Sequence, residues 1–175
     1  MDLWSGISGT IMALLALGIR VIALAAEWDE DARDVAAKNM PNIVHMSKVE
    51  DIEPDMLKKV LSRRTFSGII IGGGSPCQGN SSLNASRKGL GDERSRQPLL
   101  LSKLADDIEL LSEVADQHIP VMRWLENVAS SPTDVRQAYS LWLGSPGMPC
   151  GYLCTEAAEY GYAKRSRLWW GRCFA

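Results

Sequence analysis

Cys77 stands in the run Gly72-Gly73-Gly74-Ser75-Pro76-Cys77-Gln78. A thiolate is a strong nucleophile even when only a small fraction of the thiol is ionised. The glycines allow close approach to the backbone, and Pro76 fixes the chain just before the thiol. A small buried cysteine in a turn fits the same run, so Cys77 alone leaves both readings open. A second group is Glu126, in Trp124-Leu125-Glu126-Asn127-Val128. A carboxyl at a strand end can serve as an acid or a hydrogen-bond partner. Read in isolation, it is more simply a solvated turn residue. The third group lies in Ala163-Lys164-Arg165-Ser166-Arg167. In an extended segment the period of two puts Arg165 and Arg167 on one side. Two guanidinium groups there suit a phosphate or a base carbonyl, and a basic edge strand gives the same pattern.

A fourth motif, Asp2-Leu3-Trp4-Ser5-Gly6-Ile7-Ser8-Gly9-Thr10, enters a helix. Glycines at such a turn let a ligand approach, and the free N–H groups of a helix start favour an anionic group. Glu27 follows about 20 residues on, at the end of the next strand, where nucleotide-binding α/β folds place an acid for ribose hydroxyls. Trp28 beside it offers a flat ring for an adenine. The pair points to an adenosine-type cofactor; the alternative is a structural turn with a surface acid beside a core Trp.

These groups need a scaffold, and the chain supplies alternating elements. Residues 11–17 read as an apolar helix stopped by Gly18, and residues 21–26 as a buried strand. Residues 29–39 read as a helix with Asp29 as N-cap and Pro41 beyond its end. A helix over 55–64, a strand over 68–71, a helix over 99–115 and a strand over 120–125 follow. A helix over 134–142 and a strand over 168–170 close the series. Strands separated by helices predict an α/β fold, doubly wound, with a mostly parallel sheet. The ends look cut, because little precedes the first glycine loop and the chain stops straight after a strand. One domain over 1–175 is expected, incomplete at both ends. Residues 79–98 form a long polar stretch rich in Gly, Ser and Arg, which is expected to be a mobile functional loop.

The bulk numbers exclude several classes. The 175 residues are enough for one hydrophobic core, with 46% hydrophobic and 23% charged residues. The longest strongly apolar stretch, residues 11–17, is too short for a bilayer, and no basic leader precedes it, so no membrane is expected. The net charge of -2 is unusual for a protein that grips phosphates. The basic residues are clustered, however: Arg87, Lys88, Arg94 and Arg96 form one group, and Lys164, Arg165, Arg167 and Arg172 another. Of four cysteines only Cys150 and Cys154 lie close in sequence, and neither His45 nor His118 is near them, so no metal site is expected. Reduced thiols in a cytosolic or nuclear compartment are the default.

Taken in chain order, the four motifs resemble the first, fourth, sixth and eighth signature motifs of the DNA (cytosine-5)-methyltransferases, and Glu27-Trp28-Asp29 resembles the second. Asn84-Ala85-Ser86-Arg87-Lys88-Gly89-Leu90 and the run from Arg165 into Trp169-Trp170-Gly171 are similar to the animal de novo branch. The resemblance implies the Rossmann-like fold of S-adenosylmethionine-dependent methyltransferases, S-adenosylmethionine as methyl donor, and a cytosine flipped out of DNA as substrate. It implies Cys77 as nucleophile, Glu126 at the ring N3, Asn127 as a brace, and Arg165 and Arg167 on the cytosine carbonyl and its phosphate. The cofactor would lie on Trp4, Ser5, Gly6, Ile7, Ser8, Gly9, Glu27, Trp28, Val49, Ser75 and Pro76. Gln78, Arg87, Lys88 and Arg96 would contact DNA. A protein partner or second subunit, and a nuclear or, in a bacterium, cytoplasmic location, complete the expectation. The sequence departs from the family at Lys48, where the third motif often has an acid (a shifted register would use Asp51). It departs again at Ala163, where the eighth motif often has Gln. The target-recognition region and the last two motifs are not present. A methyltransferase-like remnant acting as a regulatory module, or a tRNA cytosine-5 methyltransferase, are the alternatives.

Overall fold

The structure, a computed structural model, describes residues 1–63, 66–114, 119–145, 147–159, 161 and 164–171. His118, Ala163, Arg172 and Cys173 lie outside the described residues, as do the expected helix ends at Arg64 and Ala115. The chain forms two compact units. The first joins Met1–Gly73 to Leu104–Val121, and the second joins Gly74–Lys103 to Met122–Ala175.

In the first unit, strand β1 is only Asp2–Leu3, and it turns directly into helix α1 (Gly9–Ala16). Strand β2 (Leu24–Ala26), helix α2 (Glu30–Asn39), strand β3 (Val44–Met46), helix α3 (Pro54–Arg63) and strand β4 (Ile69–Gly74) follow. Helix α2 starts where its sequence says: the Asp29 carboxylate accepts from Ala32 N at 2.9 Å, and Glu30 and Asp31 complement the helix dipole. Gly18 takes a left-handed conformation (φ 74°) just past α1, the geometry that ends a helix cheaply. The strands run β3-β2-β1-β4, and every pairing is parallel. The chain therefore winds outward from β1 to β3 and returns to the other side of β1 with β4. That reversal is the switch point at which doubly wound sheets bind ligands. Gly73 shows how closely β1 and β4 approach, since a Cβ there would lie 1.7 Å from the Leu3 carbonyl oxygen. Ile11, Ala23, Ala25, Ala36 and Met40 pack as one core cluster, with Val21 and Ile43 against it.

Helix α4 (Pro98–Val114) and strand β5 (Val121–Val128) carry residues of both units. The second unit continues with helix α5 (Thr133–Leu143), strand β6 (Tyr152–Glu156) and strand β7 (Ser166–Gly171). Here β7 lies between β5 and β6 and is antiparallel to both. Its buried face is aromatic. Trp170 meets Tyr139 edge-on at 5.4 Å and Tyr152 at 5.3 Å, and its indole N–H donates to Ser140 Oγ at 3.1 Å. Among the described residues no helix is long and apolar enough to cross a membrane.

Candidate active site

The first unit carries the glycine loop. Trp4, Gly6 and Ser8 all have left-handed backbones, with φ of 54°, 52° and 64°. Such a conformation is strained for Trp and Ser and costs about 1–3 kcal/mol at each non-glycine position. The loop is pinned to its neighbours: Ser5 N donates to the Ala26 carbonyl at 3.0 Å, and Ser8 N to the Ser5 carbonyl at 2.7 Å. Glu27 ties it further. One carboxylate oxygen accepts from Gly6 N at 2.7 Å and the other from Asp29 N at 2.9 Å, while Arg33 donates to the Glu27 carbonyl. An ionised carboxylate has about four acceptor positions, so two such bonds leave room for ribose hydroxyls.

Three buried polar atoms of this loop have no partner among the described residues: Asp2 Oδ2, Ser5 Oγ and Ser8 Oγ. Buried polar groups are almost always paired, so orphans clustered on a strained glycine loop fit a polar ligand. Burial also raises the Asp2 carboxyl to about 6, against the pull of a Thr10 hydrogen bond. Of the other residues expected at the cofactor, Ile7 and Gly9 are exposed, Trp28 is 69% exposed, and Val49 is buried at the start of a 3-10 turn. Lys48 precedes that turn and is exposed, while Asp51 accepts from Ser47 Oγ at 3.1 Å.

The nucleophile candidate lies in the second unit. Glu126 and Asn127 are adjacent in β5, so alternation turns their side chains to opposite faces of the sheet. On one face Glu126 lies opposite Trp169 of β7, and Arg167 is its diagonal neighbour. The Arg167 guanidinium forms an ion pair with the Glu126 carboxylate. Trp124 and Trp169 sit 5.9 Å apart, tilted, on the same face. Burial raises the Glu126 pKa, while the charges of Arg167 and Arg165 oppose the rise. Arg165 is exposed, with its backbone N–H and the Ser166 hydroxyl held by the Glu156 carboxylate. The structure thus brings Glu126, Arg165 and Arg167 into one electrostatic group. Gly74 packs against it: a Cβ on Gly74 would lie 2.7 Å from Glu126 Oε2. The chain leading to Cys77 therefore starts beside the Glu126 carboxylate.

On the opposite face Asn127 braces that chain. Its amide nitrogen donates to Ser75 Oγ at 2.8 Å, and its carbonyl oxygen accepts from Val128 N at 2.9 Å and Ser131 Oγ at 3.3 Å. Cys77 is half-buried as a free thiol between half-buried Pro76 and exposed Gln78. Its carbonyl accepts from Asn80 N at 2.9 Å and Ser81 N at 2.8 Å. Sequence reasoning did not single out Asn80, Ser95, Ser131 or Tyr139, all fully buried around this turn. No spacing rule marks them, because they come from separate segments of the chain.

Residues 79–98 are held at several points. Gly89 N donates to the Gly79 carbonyl at 2.9 Å, and Ser82 N to Ser130 Oγ at 3.0 Å. Arg87 Nη1 donates to the Asn80 carbonyl at 3.1 Å and the Ser130 carbonyl at 2.7 Å. Arg96 Nε donates to the Leu90 carbonyl at 2.9 Å, and Lys88 is exposed. Arg94 pairs with Asp92, holding that carboxyl down at about 2. In this structure Arg87 and Arg96 thus bind backbone carbonyls of the loop itself and, for Arg87, of Ser130. Cys150 is half-buried, with its thiol pushed up by burial, and Cys154 is exposed. Among the described residues no group of three or more His, Cys, Asp or Glu could hold a metal ion.

Parallel strands with a glycine loop and a strand-end acid, and an antiparallel β7, are the fold of the S-adenosylmethionine-dependent methyltransferases. Solved structures match it across nearly the whole chain. A candidate DNA modification methyltransferase from an Escherichia coli prophage is 23% identical, with a TM-score of 0.65 over 97% of this chain and 44% of its own. Entamoeba histolytica methyltransferase EhMeth is 18% identical, with a TM-score of 0.66 over 97% of this chain and 51% of its own. Spodoptera frugiperda DNMT2 is 20% identical, with a TM-score of 0.63 over 98% and 48%. The chain therefore spans about half the length of the solved structures it matches. A comparison with curated proteins gives no match. The C-5 cytosine-specific DNA methylase model matches residues 1–131 of the 175, and the chain belongs to that family.

Proposed function

We propose that the protein transfers a methyl group from S-adenosylmethionine to carbon 5 of a cytosine flipped out of DNA, through a covalent adduct with Cys77. The observation that carries this reading is the contact of Gly74 with the Glu126 carboxylate, which is paired with Arg167, three residues before Cys77. A nucleophile turn and a half-buried carboxyl are thus neighbours on one unit. Bound S-adenosylmethionine would supply an electrophilic methyl group on a sulfonium. The orphaned hydroxyls of Ser5 and Ser8 and the ordered Glu27 carboxylate are the groups that fit its polar parts.

The chain's own residues account for the rest. The Cys77 thiolate adds to carbon 6 of the ring, and the electron pair moves toward carbon 5. Glu126 hydrogen-bonds or protonates N3, which keeps negative charge from building on the ring; its raised pKa suits a carboxyl that must carry a proton. Carbon 5 then takes the methyl group. The carbon 5 proton leaves to solvent, the Cys77–carbon 6 bond breaks, returning the thiolate, and a proton taken up at N3 goes back to Glu126. Arg165 and Arg167 grip the cytosine carbonyl and its phosphate, and Asn127 holds the turn through Ser75. Lys88, Arg87 and Arg96, all exposed, would contact the phosphates, and exposed Gln78 the DNA; Arg87 and Arg96 would first have to leave the backbone carbonyls they bond here.

The test is transfer of tritiated methyl from S-adenosylmethionine to duplex DNA and, separately, to tRNA, by wild type and Cys77→Ala. Label in DNA with wild type alone supports the reading, and label in tRNA alone moves the substrate to RNA. Equal background from both proteins on both acids sinks it. DNA carrying 5-fluorocytosine adds a check on mechanism. Its carbon 5 has no proton to lose after methylation, so the enzyme should stay bound through Cys77.

A further inference from the structure

Cys77 needs more than its own turn to hold a fixed geometry, and the turn is anchored from inside the second unit. Asn80 closes it, with its N–H on the Cys77 carbonyl, and the Asn80 side chain is fully buried. That side chain sits in a closed ring of hydrogen bonds. Asn80 Nδ2 donates to the Tyr139 hydroxyl at 2.9 Å, and the Tyr139 hydroxyl donates to the Ser95 carbonyl at 2.9 Å. Ser95 Oγ donates back to Asn80 Oδ1 at 2.7 Å. The Ser95 carbonyl can only accept, so the tyrosine proton must point to it, and the Asn80 amide must then turn its nitrogen to the tyrosine. A flipped amide would draw the hydroxyl away and leave a buried carbonyl without a partner, which is costly. The ring therefore has one arrangement.

We propose that Asn80 and Tyr139 are positioning residues that hold the Cys77 turn in one geometry for attack; the proposal rests on Cys77 being the nucleophile. On the near side of Cys77, Ser75 is fixed by Asn127, and a longer contact of 3.5 Å joins Asn80 Nδ2 to Asn127 Oδ1. Cys77 is thus bracketed by two buried anchors, two residues before it and three after. Tyr139 suits the task. Its ring is locked against Trp170 at 5.4 Å and Trp142 at 5.7 Å, so its hydroxyl has a fixed place. Burial pushes the phenol up to about 12, so it keeps the proton it donates. It also lies close enough to Cys77 and Ser75 for each to influence its ionisation.

Tyr139→Phe keeps the ring and removes the hydroxyl. Two readouts test it: methyl transfer to DNA, and alkylation of each cysteine by iodoacetamide, followed by peptide mass spectrometry. A misplaced nucleophile slows chemistry without weakening binding, so kcat should fall by about 10- to 100-fold while KM stays within about twofold. The loosened Cys77 should alkylate about threefold faster or more. Half-buried Cys150, whose N–H bonds Ser140 beside Tyr139, should keep its rate. Unchanged kcat and unchanged Cys77 alkylation would overturn the proposal. So would equal acceleration at Cys77 and Cys150 with a large fall in melting temperature, which marks a merely structural tyrosine. Ser95→Ala cuts the same ring at its return bond and serves, with the same readouts, should Tyr139→Phe not fold. If wild type methylates neither DNA nor tRNA, the functional reading fails, yet the ratio of Cys77 to Cys150 alkylation still decides the positioning claim.

Discussion

Replacing Ser8 with glycine should make the ligand-free protein more stable and its glycine loop a poorer binder. Ser8 has φ 64° and ψ 44°, a left-handed backbone that costs a non-glycine residue about 1–2 kcal/mol. Its hydroxyl is buried without a partner, which costs a further 1–3 kcal/mol or so. Against this, glycine loses about 0.5–1 kcal/mol through the freedom it gains in the unfolded chain. Removing one buried carbon forfeits about 0.8 kcal/mol more. The helix start is not harmed, because Ser8 makes no side-chain cap and glycine is accepted at an N-cap. The balance favours glycine by about 0–4 kcal/mol, centred near 2, read as a higher urea midpoint with an unchanged slope. Calorimetric titration with S-adenosylmethionine supplies the other half. One lost hydrogen bond of about 1 kcal/mol should weaken binding roughly fivefold. A Ser8→Gly protein less stable than wild type would refute the argument from strain and the orphaned hydroxyl. A more stable protein with unchanged affinity would keep those energetics but remove Ser8 from the cofactor site.

Asp2→Asn should flatten the pH dependence of stability. The Asp2 carboxyl is raised from 3.8 to about 6, so between those values the folded state holds a proton that the unfolded state has lost. The stability it contributes is complete below about pH 4 and is lost as pH rises through 6. That loss amounts to about 2–3 kcal/mol, which Asn should restore at pH 7 in urea denaturation. Arg167→Ala removes the cation that holds Glu126 down, so the Glu126 pKa should climb further. Its effect has the same sign, so the variant should lose more stability than wild type as pH rises above the ordinary carboxylate range. Gly73→Ala places a Cβ on the Leu3 carbonyl oxygen, a backbone clash with no flexible side chain to yield. It should cost about 4 kcal/mol or more, and a soluble variant melting near the wild-type temperature would contradict the packing of β1 against β4. Arg87→Ala removes the hydrogen bond that ties residues 79–98 to the Ser130 carbonyl and one inside the stretch, to the Asn80 carbonyl. Limited proteolysis within that stretch should speed up severalfold, and an unchanged cleavage rate would show that the loop does not depend on them.

The fold was legible where local rules agree. Helix α2 carries an N-cap, acids in its first turn and an apolar stripe, and it was found to within a residue. Strand β1 was not, because two residues carry no periodicity. Asp2 and Leu3 are a strand only through their pairing with Ala25, Ala26 and Gly72. Strand β3 hides for the same reason, with only Val44, His45 and Met46. Strand β6 has a mostly exposed pattern, and its partner is 14 residues downstream, so neither composition nor alternation marks it.

The site divides along the same line. Glu126 and Asn127 could be read as a pair because one motif carries both, and alternation alone assigns them to opposite faces. What the strand reading does not reveal is that the two faces have different tasks. On one, β7 supplies the diagonal Arg167 and the opposed Trp169, so a carboxyl is desolvated and countered at once. On the other, Asn127 reaches Ser75, 52 residues earlier in the chain, and Tyr139 reaches Asn80 and Ser95 across 59 and 44 residues. Such contacts are fixed by tertiary packing, and each residue reads locally as an ordinary polar or helical position. Asn80 is the instructive case. In sequence it is one more polar residue of a Gly- and Ser-rich loop, and its type would be expected in solvent. Full burial with its side-chain oxygen and nitrogen both paired reverses that reading, because an unpaired amide at such a place would be among the costliest groups in the unit. The stretch after Cys77 is therefore a fixed turn as far as Asn80.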